Sequence, residues 1–430
     1  MGGPDSLLHF AGLRKDSGNK AIQKKGTFQA VCRPGASTLI LLMCCPLGLL
    51  GCLLAAGPGQ REKLICLMGG MAFILGQPMK ILVIQQKHIG DVLTATVLLE
   101  ALADRYPEAE LHYLVNAHTA AVVEHNPFID ELILFTPAEK EWKMFRALLR
   151  RIHRQQYDVV IDAYGKWSSV IMTWCSRAPL RISYYKWYTW FFFSHTTPRL
   201  KQPEQGERLS IENRLKLLTP LSIPFHPYRP KLYLSAAEKA AGPSHLAAAG
   251  INPGQPLFMI GLLGSSAEKS YPAPYMTALL QHLCRQVPGL QLLFNYAPDQ
   301  QAAANRIYTA CDAQTRDHFF PEVYGGSLRE FIGLARCCHA FIGNEGGAAN
   351  MAKALDVPVF AIFSPQIDKQ GWFNPSEQPL HRAVHLSDYT SWNTQKRKAA
   401  RKNPQAFYKQ LLPEKIFPEL DRFLGALKRP

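Results

Sequence analysis

Three short stretches of the chain hold side chains able to act on an anionic substrate, and each directly follows an apolar run. The first is Gly90-Asp91, inside "MKILVIQQKHIGDVL" (79–93). A carboxylate at the end of a strand can take a proton from an attacking hydroxyl, and the glycine beside it admits a ligand or another backbone. The plain alternative is that Asp91 caps the helix that follows. The second is "LLGSSAEKSYP" (262–272), where Gly264, Ser265 and Ser266 offer N–H groups and hydroxyls and Lys269 a compact positive charge. Several donors beside one cation suit a diphosphate; a solvated turn with a surface lysine is the plain alternative. The third is "FIGNEGGAANMAKALDVPVFAIFSP" (341–365). Here Asn344 and Glu345 end an apolar run, Gly346 and Gly347 turn the chain, and a helix predicted from about Ala348 aims its N-terminus at the turn. Unpaired amides and the helix dipole favour an anion there. Glu345 as a salt bridge or cap, and Asn350 as an exposed helical amide, are the plain readings. Asp299 and Gln300, after "NYAP", are candidates to face a ribose. The loops match neither the P-loop G-x-x-x-x-G-K-[ST] nor the dinucleotide G-x-G-x-x-G.

The elements that must hold these loops read as two βα arrays. "KILVIQQ" (80–86), "LHYLV" (111–115), "ELILF" (131–135) and "YDVVIDA" (157–163) are short apolar runs with helical patterns between them. After Gly90-Asp91, the residues Val92, Ala95, Leu99 and Leu102 share one helical face. Strands alternating with helices predict a parallel sheet covered on both sides. Two proline-containing passages, "HTTPRLKQPEQGERLS" and "IPFHPYRPKL", mark a domain edge near 225–245. A second array runs through "PLFMIGLL" (256–263), a helix near 273–286, "LQLLFNY" (290–296), a helix near 299–311, a strand around 320–324, a helix from Ser327, "CHAFIGN" (338–344) and "VPVFAIFSP". The fold class expected is α/β: two Rossmann-like, doubly wound domains, 79–245 and 246–430, facing across a cleft. Ligands of such sheets bind beyond the carboxyl ends of the strands at the switch point, so the cleft is the expected site.

Composition narrows the partners. The net charge of +15, from 48 Lys+Arg against 33 Asp+Glu, suits nucleotides, phosphorylated glycans or an acidic membrane surface. Zinc-finger spacing, an RNA-recognition signature and a basic helix with heptads are all missing, so nucleic acid has charge alone in its favour. The ten cysteines form no C-x-x-C pair, which suggests neither a disulfide framework nor a metal site. Before residue 79 the chain changes character: "LILLMCCPLGLLGCLLAA" (39–56) has no charge and follows six basic residues. Three readings fit it: a single membrane anchor, a signal segment, or an extension ahead of a true start at Met79. "RISYYKWYTWFFFSH" (181–195) sets seven aromatic residues ahead of Phe193 beside Arg181 and Lys186, which suits a membrane-interface patch or, equally, an aromatic core segment. "NTQKRKAARKN" (393–403) reads as a contact for anionic lipid or phosphorylated glycan, or as a solvated tail. The segment 413–427 is expected to pack back onto the first domain.

Together "MKILVIQQKHIGDVLTATVLLEAL", "GLLGSSAEKSYP" and "SLREFIGLARCCHAFIGNEGGAANMAKALDVPVFAIFSP" resemble the ADP-heptose:lipopolysaccharide heptosyltransferases, glycosyltransferase family 9, over most of Met79 to about residue 375. The resemblance implies the two-domain GT-B fold, an acceptor-binding first domain and a nucleotide-sugar-binding second domain with a basic tail. It implies an inverting, metal-independent transfer from ADP-heptose or a similar nucleotide sugar to a lipopolysaccharide core acceptor, without a cofactor. The enzyme would then sit at the cytoplasmic face of the inner membrane, in peripheral contact with it. By the same resemblance Asp91 matches the catalytic base and Lys269 the lysine that neutralises the diphosphate. Gly90, Ser265, Ser266, Asp299, Glu345, Gly346, Gly347 and Asn350 fall at or near donor-binding positions. The chain departs from the family where Glu345 replaces the usual Asp, Gly346 a Ser/Thr and Asn350 a His. Those changes leave a non-catalytic nucleotide- or glycan-binding relative open, and a Rossmann oxidoreductase remains a more distant rival.

Overall fold

The computed structural model describes residues 78–136, 138 and 141–427, and before them the backbone of four short strands. These strands, β1 (Thr38–Cys45), β2 (Gly48–Ala55), β3 (Lys63–Met68) and β4 (Met71–Ile74), pair antiparallel in that order and belong to a separate unit. The uncharged stretch 39–56, expected as an anchor, a signal or an early extension, has most of its backbone in β1 and β2. Its side chains, and the rest of residues 1–77, lie outside the described residues. No helix among the described residues is long and apolar enough to cross a membrane.

From Lys80 the chain builds a parallel sheet from β5 (Lys80–Ile84), β6 (Glu110–Asn116), β7 (Glu131–Phe135), β8 (Val159–Asp162), β9 (Leu180–Tyr184) and β10 (His195–Thr197), in the order β10-β9-β8-β5-β6-β7. Ile81, Leu82, Val83 and Ile84 of β5 are fully buried, and each such side chain contributes about 1.5–3 kcal/mol when removed from water. The chain runs outward from β5 to β7 and then returns to β8 on the other side of β5. The gap between β5 and β8 is therefore the switch point, and the loops leaving those strands border it.

The first lobe also holds α1 (Ile89–Arg105), α2 (Trp142–Arg154), α3 (Trp167–Cys175) and α4 (Leu209–Leu215). In α1 the predicted stripe is buried, and so are Leu93, Val97 and Leu98. A helix that is apolar nearly all round is enclosed on several sides, here by the sheet, by α4 and by a helix of the second lobe. In α4 three consecutive polar residues are buried. The Glu212 carboxylate accepts the backbone N–H groups of Glu204, Gln205 and Glu207 at 2.6, 2.9 and 2.8 Å. Asn213 accepts the Leu200 N–H at 2.8 Å, so the proline-containing passage is a held loop.

The second lobe contains α5 (Ala236–Ala248), β11 (Leu257–Gly261), α6 (Ala273–Gln286), β12 (Gln291–Asn295), α7 (Gln301–Ala310), α8 (Ala313–Arg316), α9 (Leu328–Arg336), β13 (Ala340–Asn344), α10 (Gly347–Ala354), β14 (Val359–Ile362), β15 (His381–Val384), α11 (Thr394–Lys402), α12 (Pro404–Tyr408) and α13 (Pro413–Leu427). Its strands are parallel in the order β12-β11-β13-β14-β15. The switch point lies between β11 and β13, which are the strands that lead into the second and third candidate loops. Two expectations are corrected. The strand around 320–324 reduces to one bridge between Leu292 and Phe319, in which the Leu292 N–H donates to the His318 carbonyl at 2.8 Å and the Phe320 N–H to the Leu292 carbonyl at 3.1 Å. The segment 413–427 packs on the second lobe, not the first: Ile416, Leu420, Phe423 and Leu424 join its core with Leu283 and Phe360.

Charged side chains tie the lobes together. Arg329 of α9 donates to the carbonyl of Ala121 at 2.9 Å and to both oxygens of Glu238 at 2.7 Å. Glu377 pairs with Arg208 at 2.9 Å and with Lys353 at 2.8 Å, all three nearly inaccessible to water. Glu377→Ala would leave two buried cations unpaired, so it is expected to cost about 3–5 kcal/mol of stability. Urea unfolding of the variant measures this, and a loss within experimental error would contradict it.

Candidate active site

The amino ends of α1 and α10 meet across the lobe junction. A Cβ on Gly347 would lie 3.3 Å from the Ile89 side chain, and one on Gly90 would lie 3.1 Å from the Asn350 amide nitrogen and 3.4 Å from the Trp372 ring. Side chains at either glycine would push the two helix starts apart. Gly346 takes φ 146°, ψ −159° to turn from β13 into α10, a conformation that side chains resist. Neither helix has a side-chain cap; the N-cap position of α1 is His88, held at φ 67°. First-turn amides of both helices therefore remain available to an anion in the junction.

Asp91 is the third residue of α1 and does not cap it. Arg214 of α4 binds its Oδ1 at 2.7 Å and its carbonyl oxygen at 3.2 Å, and is itself anchored to the carbonyl of Ser210 at 2.8 Å. The arginine is buried while the Asp91 side chain is about a third exposed. One carboxylate oxygen is thus fixed by a guanidinium, and Oδ2 has no hydrogen bond among the described residues.

The second lobe supplies the cation. Lys269 ends a short turn (Ala267–Lys269) in the loop after β11, close enough to act electrostatically on Glu345. Burial pushes the Glu345 carboxyl above its ordinary range, and the Lys269 charge opposes that rise. Its Oε1 is buried with no hydrogen-bond partner among the described residues; neither a salt bridge nor a cap holds it. Asn344, just before it, is the brace: its amide nitrogen donates to the carbonyls of Gly261 and Leu262 at 3.0 and 2.8 Å, and its oxygen accepts the Tyr271 N–H at 2.7 Å. That clamp holds both switch-point loops in register.

The remaining candidates fall less centrally. Asn350 donates to the carbonyl of Gly346 at 3.0 Å and lies at the junction. Ser265 is exposed, and the Ser266 hydroxyl is engaged by Glu268, which holds that carboxyl below its ordinary range. Asp299 is exposed beyond β12, whereas Gln300 reaches the carbonyl of Gly264 at 2.7 Å.

Beside the junction, a cavity of about 570 Å³ opens at the carboxyl ends of the first sheet, lined by Gln86, Lys87, Asn116, His118, Tyr164 and Ser168 among others. Asn116 is almost wholly buried, and its Oδ1 has no partner among the described residues. The Tyr164 phenol is pushed up by burial, then by Asp162 and Asp91, which puts Asp91 within electrostatic range of this wall. The rim is basic: burial, then Lys87 and His88, lower the pKa of His118. Two groups have metal-like spacing, Glu110-His112-Glu131 and Glu124-His125-Glu238. The first sits at the amino ends of β6 and β7, opposite the crevice, with His112 bonded to Tyr157 and Glu110.

Sequence reasoning missed Arg214, Asn344 as a clamp, and Asn116. The signal for Arg214 was present as "ENR" inside the apolar run of α4, where exposed polar residues would interrupt the packing.

The family model for glycosyltransferase family 9 (heptosyltransferase) matches residues 145–405. The chain is 23% identical over 285 residues to lipopolysaccharide heptosyltransferase 3 of Escherichia coli, covering 64% of this chain and 80% of that protein. Among solved structures it is similar to a glycosyl transferase family 9 protein from Veillonella parvula, with a TM-score of 0.68 and 17% identity over 81% of this chain and 98% of that one. It is also similar to the E. coli heptosyltransferase WaaC with ADP, with a TM-score of 0.59 and 14% identity over 80% and 100% of the respective chains.

Proposed function

The chain belongs to glycosyltransferase family 9, and on that premise we propose that it transfers heptose from ADP-heptose to a lipopolysaccharide core acceptor, inverting the anomeric carbon. The observation that carries this reading is the meeting of two uncapped helix starts at paired switch points, with a carboxylate on one side and a lysine on the other. In support, similar proteins are named as heptosyltransferases, and one was solved with ADP. Family membership displaces the oxidoreductase alternative.

The acceptor hydroxyl attacks the anomeric carbon from the face opposite the diphosphate. Asp91 takes its proton while the bond from that carbon to the diphosphate oxygen breaks, and ADP leaves with the bonding pair. Arg214, by holding Oδ1, turns Oδ2 to the acceptor. Lys269 and the first-turn amides of α10 meet the charge growing on the leaving group, each such fixed donor being worth about 3–4 kcal/mol. Gly346 leaves open space for the phosphates and Gly90 and Gly347 let the two helix starts close beside them, with Asn350, Ser265 and Ser266 around the phosphates and Asp299 toward the ribose. The acceptor sugar enters the cavity lined by Lys87, Asn116 and His118. The lipid-linked acceptor is met at the cytoplasmic face of the inner membrane. Titration calorimetry tests the donor: ADP should bind more tightly than UDP or GDP, and a preference for UDP would overturn the nucleotide assignment.

Glu345 makes donor binding depend on pH. Its carboxyl holds a proton at higher pH than usual, and a diphosphate nearby disfavours the ionised form further. Donor affinity is therefore expected to fall as pH rises through this raised pKa, with proton uptake on binding. Calorimetry in two buffers of different ionisation enthalpy measures the uptake. Glu345→Gln should abolish both the uptake and the pH slope; their persistence would remove Glu345 from the donor site.

A further inference from the structure

The aromatic segment after β9 divides in the structure. Tyr184 and Phe193 are buried, whereas Tyr185, Trp187, Trp190 and Phe191, together with Trp167 and Trp174 of α3, are each more than half exposed. Phe192 joins three of them, its ring 6.2 Å from Trp167, 6.1 Å from Trp174 and 4.4 Å from Phe191, while Trp190 meets Phe191 at 6.3 Å and Tyr188 links Trp187 to Trp167 at 5.5 and 6.0 Å. Five large exposed rings linked in this way form a patch of the kind that marks a binding surface.

Cations border it. A notch of about 420 Å³ beside Trp174 is walled by Arg150, His153, Arg177 and Arg181. Among the described residues none of these forms an ion pair with a carboxylate, in contrast to Arg151 of the same helix, which pairs with Glu131 at 2.5 Å. Trp and Tyr with arginine at the edge is the composition of the bilayer headgroup region, where amphipathic rings and cations lie together. The patch also adjoins the proposed acceptor cavity at the start of α3. Ser168 lines that cavity, and Trp167 next to it opens onto the patch.

We propose that this surface docks the protein on an anionic lipid bilayer, with the exposed rings at headgroup depth and the notch arginines on a lipid phosphate. The mouth of the acceptor cavity is thereby held against the membrane. That last consequence rests on the transfer reading above; the docking does not.

Flotation with phosphatidylglycerol-containing vesicles, against vesicles of phosphatidylcholine alone, tests the docking without donor or acceptor, so failure of docking and failure of sugar transfer are read separately. The full chain should float with the anionic vesicles and much less with the neutral ones. The double variants Trp187→Ser/Trp190→Ser and Arg150→Glu/Arg177→Glu should each lower partitioning on the order of tenfold, with unchanged circular-dichroism melting. Lys398→Glu/Arg401→Glu in α11 should leave partitioning near that of the unaltered protein. The proposal is overturned if the chain ignores anionic vesicles, or if the α11 variant loses binding while the patch variants keep it. It is also overturned if Trp187→Ser/Trp190→Ser dissolves a dimer in sedimentation and leaves vesicle binding intact, because the patch would then join two copies of this chain.

Discussion

Asp91→Asn is expected to lower kcat by about 10²–10⁴-fold while ADP binds with nearly unchanged affinity. The amide keeps the volume of the carboxylate and an oxygen for Arg214, but it cannot take a proton from the acceptor. The base therefore disappears with little change in shape. Loss of the negative charge leaves the buried Arg214 less well compensated, so the variant should also be less stable, and assays belong well below its melting temperature. Arg214→Lys separates the two effects. It keeps a cation near Asp91 but loses the fork that spans its Oδ1, its carbonyl and the Ser210 carbonyl. A positioning role for Arg214 then appears as a fall in kcat with the donor KM retained. Full turnover by Asp91→Asn would remove the residue from the mechanism.

Lys269→Ala should have a comparable effect by a different route. The ammonium acts electrostatically on the buried Glu345 carboxyl, and its removal takes away a compact cation on the second-lobe side of the junction. Because the leaving diphosphate gains charge as the bond breaks, the loss should be larger in the transition state than in the bound donor. Losing a fixed group aimed at developing charge typically costs about 10²–10³ in kcat, and ADP affinity should drop as well. The Glu345 carboxyl, freed from the cation that opposes its rise, should hold its proton to still higher pH. Steady-state kinetics with ADP calorimetry read both quantities. Equal affinity and rate would place the grip elsewhere.

The fold was largely legible because both sheets are built from short, strongly apolar strands such as Lys80–Ile84 and Val359–Ile362, whose pattern survives in any context. The switch-point loops were legible for a related reason: Gly346 and Gly347 come just after the strand that ends at Asn344, and Gly90 lies at the start of the helix that follows Ile84, positions that announce close approach. What stayed hidden depends on tertiary pairing. Asp91 reads as a possible cap in sequence, and its actual partner, Arg214, lies 123 residues away. Asn344 reads as the end of a strand, while its function as a clamp depends on the carbonyls of Gly261 and Leu262. Segment 413–427 has a clear amphipathic face, but periodicity cannot say which of two sheets that face will cover. The aromatic stretch 181–195 allowed a core or a surface reading, and its rings divide between the two.

The most direct measurement is acceptor-dependent release of ADP from ADP-heptose, with the anomeric configuration of the product read by nuclear magnetic resonance. The expected result is ADP release that requires a lipopolysaccharide core acceptor, yields the inverted linkage and falls away in Asp91→Asn. Tight ADP-heptose binding without transfer to any core acceptor, or transfer that Asp91→Asn leaves untouched, would contradict the account.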